Sequence, residues 1–142
     1  MKLLKNWIVV PTTLAGIFAS ITLVSSQPLP ITPDFKPDPL VLTGTSGGAK
    51  DSQGCGKIGE DPNHIIRLSS NFKYLRFSLE GEGEPTLLIE SPSGSRSCVL
   101  YDSAAGGKIQ SSGFWEMGTY LIYIGDRSGQ KHSYTLSITQ VR

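Results

Sequence analysis

Residues 113–125, Gly-Phe-Trp-Glu-Met-Gly-Thr-Tyr-Leu-Ile-Tyr-Ile-Gly, constrain this chain more than any other stretch. Gly118 stands where the chain must bend, and beyond it Tyr120, Ile122 and Ile124 alternate with Leu121 and Tyr123. That is the period-two pattern of a strand burying one face. Tyr134-Thr-Leu-Ser-Ile-Thr139 supplies a second strand of the same kind. A chain carrying this pair must build a sheet with a covered face, yet the pair names no reaction.

The first 26 residues are set apart from the fold. Lys2 and Lys5 precede an apolar run from Trp7 to Val24, followed by small residues, which is the plan of a secretory signal peptide. Val24 and Ser26 suit cleavage between Ser26 and Gln27. As a membrane anchor the run is short and is interrupted by Pro11, Thr12 and Thr13. Residues 27–39 hold Pro28, Pro30, Pro33, Pro37 and Pro39. Proline fixes φ and removes a backbone donor, so this segment is expected to be an extended linker.

Residues 40–142 suffice for one compact domain. Short strand candidates bounded by glycine, proline, asparagine or serine follow one another: 40–45, 64–68, 74–79, 86–90, 98–101, 108–110, 119–124 and 133–139. Ser91-Pro-Ser-Gly94 has the proline and glycine of a tight turn, and Glu80-Gly-Glu-Gly-Glu84 reads as a hairpin loop. Nothing after residue 26 has helical periodicity. The expectation is an all-β fold, an antiparallel two-layer β-sandwich of about eight strands, wound like a jelly roll.

Cys55 and Cys98 are the two cysteines of the chain. Beyond a signal peptide the compartment permits oxidation, so they are expected to form a disulfide. The formal charge is +1, from 13 basic against 12 acidic residues, and the basic residues are scattered singly. That balance favours neither nucleic acid nor anionic lipid as a partner.

The catalytic signals are weak. Gly44-Thr-Ser-Gly-Gly48 looks like a protease nucleophile loop, but no histidine precedes Ser46 as that chain order demands. His64 and His132 are the only histidines, too few for a zinc site, and each stands at a strand start where a surface position is expected. Among the rings of the carboxyl-terminal half, Tyr101 and Tyr123 fall on the polar phase of their strands. They are therefore the expected contact residues for a ligand such as a carbohydrate, which stacks on exposed rings. Trp115, beside its turn glycine, is expected to plug one end of the sandwich, with ligand contact as the alternative.

Four stretches, in this order and spacing, resemble the bacterial pre-peptidase C-terminal domains, in particular small stand-alone secreted versions. They are Leu42-Thr-Gly-Thr-Ser-Gly-Gly48, Leu68-Ser-Ser-Asn-Phe-Lys-Tyr-Leu-Arg-Phe77, Pro85-Thr-Leu-Leu-Ile-Glu-Ser-Pro-Ser-Gly94, and residues 115–125 with Tyr134-Thr-Leu-Ser-Ile138. The resemblance implies a jelly-roll-like sandwich that serves as an appendage or binding module, without catalysis of its own. Members often carry an acidic cluster after the Pro-x-Gly turn, some of them for calcium. Here Ser97-Cys-Val-Leu-Tyr-Asp102 keeps only Asp102. Asp102, Glu116 and Asp126 are the weak calcium candidates, fewer carboxylates than such an ion usually gathers, so neither metal nor cofactor is expected.

The expected function is thus a non-catalytic module, secreted or periplasmic, that binds a carbohydrate or an extracellular protein. A structural envelope component is the alternative, and an enzyme or inhibitor with an unrecognised loop site the third reading.

Overall fold

The computed structural model describes residues 27–142; the expected signal peptide lies outside the described residues. Eleven strands are described: β1 (Leu29–Ile31), β2 (Leu40–Thr45), β3 (Lys50–Asp51), β4 (Lys57–Ile58), β5 (His64–Leu68), β6 (Phe72–Gly81), β7 (Pro85–Glu90), β8 (Arg96–Leu100), β9 (Ile109–Trp115), β10 (Gly118–Asp126) and β11 (Ser133–Thr139). A single 3₁₀ turn, Ser103–Ala105, lies between β8 and β9. The smaller sheet runs β2-β11-β6-β9. The larger runs β1-β5-β10-β7-β8, with β4 and β3 added at the far end of β10, where Asp126 pairs with Lys57. Taken in chain order, the eight longer strands place the first, eighth, third and sixth in one layer and the second, seventh, fourth and fifth in the other. The fold is a jelly-roll sandwich.

Alternation along the strands builds the core between the layers. Leu75, Phe77 and Leu79 of β6, with Leu136 and Ile138 of β11, face Ile66 and Leu68 of β5, Ile122 and Ile124 of β10, and Leu87 of β7; all are at most 1% exposed. Strand β10 is central, paired along one edge with β5 and along the other with β7. Its second face is covered too. Leu121 and Tyr123 pack with Leu88 under Cys55 and Ile58, so the segment carrying β3 and β4 forms a partial third layer over the larger sheet. Cys55 is bonded to Cys98, and Cys98 pairs in register with Leu88; the disulfide ties this cover to the sheet it covers. The Thr86 hydroxyl donates to the Cys55 carbonyl at 2.7 Å. A Cβ at Gly125 would lie 2.8 Å from both the Ile58 side chain and the Lys57 carbonyl, so the cover approaches more closely than any side chain allows.

Three expectations change. The first is the proline-rich linker, because residues 29–31 belong to the domain. Leu29 and Ile31 register with Ile66 and Leu68 in a parallel pair, the one exception among the described strands to an otherwise antiparallel arrangement. Ile31 is 1% exposed, and Phe35 packs edge-on to Phe72 at 6.3 Å. The spacing of these prolines leaves Leu29, Ile31 and Phe35 free to bury, and Pro30 occupies an edge strand, where a missing donor is tolerated. The second is the Glu80–Glu84 loop, which is no hairpin: β6 and β7 lie in different sheets, and the loop crosses between them. The third is the start of the strand expected over 74–79, which begins two residues earlier, with Phe72 already buried in β6.

Replacing Ile31 with alanine is expected to cost about 2–5 kcal/mol, the range for deleting a buried aliphatic side chain. Urea unfolding of the variant checks this, and a change within about 0.5 kcal/mol, usual for exposed positions, would return the segment to the role of linker.

Candidate functional site

The residues singled out from sequence fall into two groups once folded. The first serves the architecture. Trp115 is 7% exposed and stacks on Phe77 with centroids 4.5 Å apart and planes 11° from parallel. Its indole N–H donates to the Leu75 carbonyl at 3.0 Å. It plugs the sandwich as expected. Tyr123 is the correction, since it is 9% exposed beneath the Cys55–Ile58 cover. Burial, then the nearby Glu90 and Asp61 carboxylates, push its hydroxyl above the ordinary tyrosine pKa. Its polar-phase position points it away from the core, but that face of the sheet carries a second apolar layer.

Asp126 belongs here as well. It is 1% exposed, and its carboxylate accepts from the Ser128 N–H and hydroxyl and from the Glu84 N–H. His132 Nδ1 lies 3.2 Å away, close enough for an ion pair when protonated but not aligned for a hydrogen bond. Asp126 thus clasps the β6–β7 crossing to the β10–β11 turn. Gly83 fits over the clasp because a Cβ there would be 2.5 Å from the imidazole. Asp102 caps the 3₁₀ turn through the Ala104 N–H. Glu116 is exposed, and its main-chain carbonyl accepts from the Tyr120 hydroxyl. Among the described residues no three His, Cys, Asp or Glu side chains are grouped to hold a metal.

Ser46 is buried, and its hydroxyl donates to the carbonyl of His132 at 3.1 Å and accepts from its N–H at 3.3 Å; it engages the main chain and not the ring. His64 also departs from a surface role. Its Nε2 is 2.8 Å from the Tyr134 hydroxyl, with the rings edge to face at 5.9 Å. Burial lowers the His64 pKa and raises that of Tyr134 to about 12, so the pair is neutral at physiological pH. Sequence gave no sign of it, because 70 residues separate the partners.

The second group faces solvent. Tyr101 is half-buried and packs its ring against Gly107 at the side of a cleft of about 490 Å³. Ser78, Glu80, Lys108 and Gln110 complete the polar lining. A second cleft, about 370 Å³, opens at the other end of β9, with Phe114 beside it. Phe114 is 60% exposed and is not among the rings singled out from sequence. Its alternation with buried Trp115 was the available signal.

Comparison with known proteins follows this geometry. The chain is 42% identical over 104 residues to an uncharacterized protein of Synechococcus elongatus, a match covering 70% of this chain and 75% of that one. The chain belongs to that protein's family. No family model matches it. Among solved structures it is similar to the pre-peptidase C-terminal domain of the collagenase from Bacillus anthracis, with a TM-score of 0.51 and 15% identity, over 83% of this chain and all of that domain. Its fold is the pre-peptidase C-terminal sandwich. Aeromonas hydrophila PliG, a periplasmic inhibitor of g-type lysozyme, superposes more loosely, at a TM-score of 0.43 and 13% identity over 78% of this chain and 94% of PliG. Among the described residues no helix is long and apolar enough to cross a membrane.

The Asp126 clasp carries a pH signature. Burial alone would raise its pKa, but the Ser128 and Glu84 hydrogen bonds and His132 outweigh burial and hold it below the usual carboxylate value. A depressed folded-state pKa stabilises fully above the unfolded value of about 4 and loses that contribution as pH falls through the folded value. Asp126→Asn should therefore lower stability at pH 7 by about 1–3 kcal/mol and flatten the acid limb of the pH–stability curve. Urea titrations from acid to neutral pH measure both, and a curve superimposable on that of the native protein would contradict the assignment.

Proposed function

We propose that this chain is a non-catalytic module, exported to the periplasm or beyond the cell, that binds carbohydrate through the Tyr101 cleft. One observation carries the reading: of the three rings singled out from sequence, Tyr101 alone keeps a substantial exposed surface beside an open cleft, while Trp115 and Tyr123 are buried. The cleft volume falls within the range of small-ligand sites. Its lining offers the apolar face of a ring, a serine hydroxyl, a carboxamide, and a carboxylate and an ammonium of opposite sign. Sugars present an apolar ring face edged by hydroxyls, and this set of donors and acceptors suits them without demanding a charged ligand.

Supporting the non-catalytic part, the residues a hydrolase would require are committed elsewhere. Ser46 bonds main chain, and Asp126 holds a loop crossing. Export is supported by the Cys55–Cys98 bond, since such bonds persist in oxidising compartments.

On an array of neutral hexose and N-acetylhexosamine oligosaccharides the native protein is expected to retain at least one class, and Tyr101→Ala to weaken that binding tenfold or more while far-ultraviolet circular dichroism shows the fold retained. Retention of no saccharide, or equal retention by the variant, would overturn the reading.

A further inference from the structure

Resting on that reading, the geometry points to a linear, uncharged polysaccharide as the ligand, held along the open β8–β9 edge of the sandwich by two subsites at once. Strands β8 and β9 are the terminal strands of their respective sheets and lie side by side without pairing, so the jelly roll is left ajar along this edge. The Tyr101 cleft takes in Lys108, Ile109 and Gln110 at the start of β9. The second cleft takes in Phe114 and Trp115 at its end. Seven residues of strand separate the extremes, about 20 Å at roughly 3.3 Å per residue. One monosaccharide cannot span that distance, whereas a chain of several can.

The second cleft repeats the chemistry of the first with different residues. Trp115 and Tyr120, both buried, form its floor, and Ser93, Ser95 and Ser97 line one side with hydroxyls. Phe114 stands at its rim with most of its surface in water. Each subsite thus pairs an accessible aromatic ring with a row of hydroxyl or amide groups. Neither gathers the cations that an anionic polymer would call for. An extended peptide fits the edge less well. Beside it, β6 carries one extra residue between Phe72 and Leu75, opposite Gly113–Trp115 of β9, and such a bulge raises the local twist at the end of the edge where an added strand would need a flat template.

Two weak subsites on one chain act through effective concentration, so affinity climbs steeply once a ligand is long enough to reach both. Calorimetric titration of the full chain with cello- and chito-oligosaccharides of one to eight units tests this. For at least one series, affinity should rise by tenfold or more between the short and the long members. Phe114→Ala, at an exposed position, should abolish the rise. Tyr101→Ala should weaken every length. A disaccharide that binds as tightly as the octamer, or a long oligomer indifferent to Phe114→Ala, would overturn the two-subsite inference and leave the carbohydrate reading standing. Displacement of the bound oligomer by an extended neutral peptide would overturn the choice of ligand class, and no saccharide bound at any length would remove both.

Discussion

Strand β10 is buried on both faces, and the rest of the molecule is organised around that requirement. Its inward residues Tyr120, Ile122 and Ile124 meet the smaller sheet, while Leu121 and Tyr123 look the other way and need a second cover. A sandwich of two sheets leaves each outer face to water, where an apolar tyrosine-leucine pair gains nothing. The segment from Lys50 to Ile58 supplies the missing layer, although it has only two two-residue strands and little surface to bury. Covalent attachment offsets that weakness. Closing a loop across 43 residues removes enough unfolded-state freedom to stabilise by about 4 kcal/mol in the chain-entropy model, a large fraction of a small domain's margin.

The same covering separates structural residues from those left for binding. Where the disulfide-pinned layer lies, aromatic side chains are inaccessible, and Tyr123 is lost to any ligand. At the β8–β9 edge nothing similar closes the fold, and Tyr101 and Phe114 remain beside open clefts. Two further contacts fix the loops at other corners: Asp126 between the β6–β7 crossing and the β10–β11 turn, and Ser46 against the main chain of His132. With these loops held, the unclosed edge is where we propose that a chain-like ligand docks without rearranging the core.

Much of the fold was legible in the sequence because period-two alternation is local. Strands 64–68 and 133–139 have the bounds that the pattern predicts, and the jelly-roll order follows from eight such segments. What escaped was non-local. Leu29–Ile31 has three residues, two of them beside proline, and becomes a strand only because Ile66 and Leu68 lie next to it. Alternation assigns Tyr123 to the face opposite Ile122 and Ile124, but it cannot tell whether that face is covered. The choice between Tyr101, Tyr123 and Phe114 therefore turned on packing contributed by residues 50–58, remote in sequence. The histidines carried the same lesson, for the Tyr134 partner of His64 comes from the last strand.

The most direct test of this account is the stability of a Cys55→Ser, Cys98→Ser double variant, followed together with the environment of Tyr123. Urea unfolding should show a loss of about 4 kcal/mol, while far-ultraviolet circular dichroism keeps its β signature and the Tyr123 ring becomes accessible to water-borne quenchers. A double variant as stable as the native protein, with Tyr123 still shielded, would contradict the claim that the disulfide holds the third layer in place.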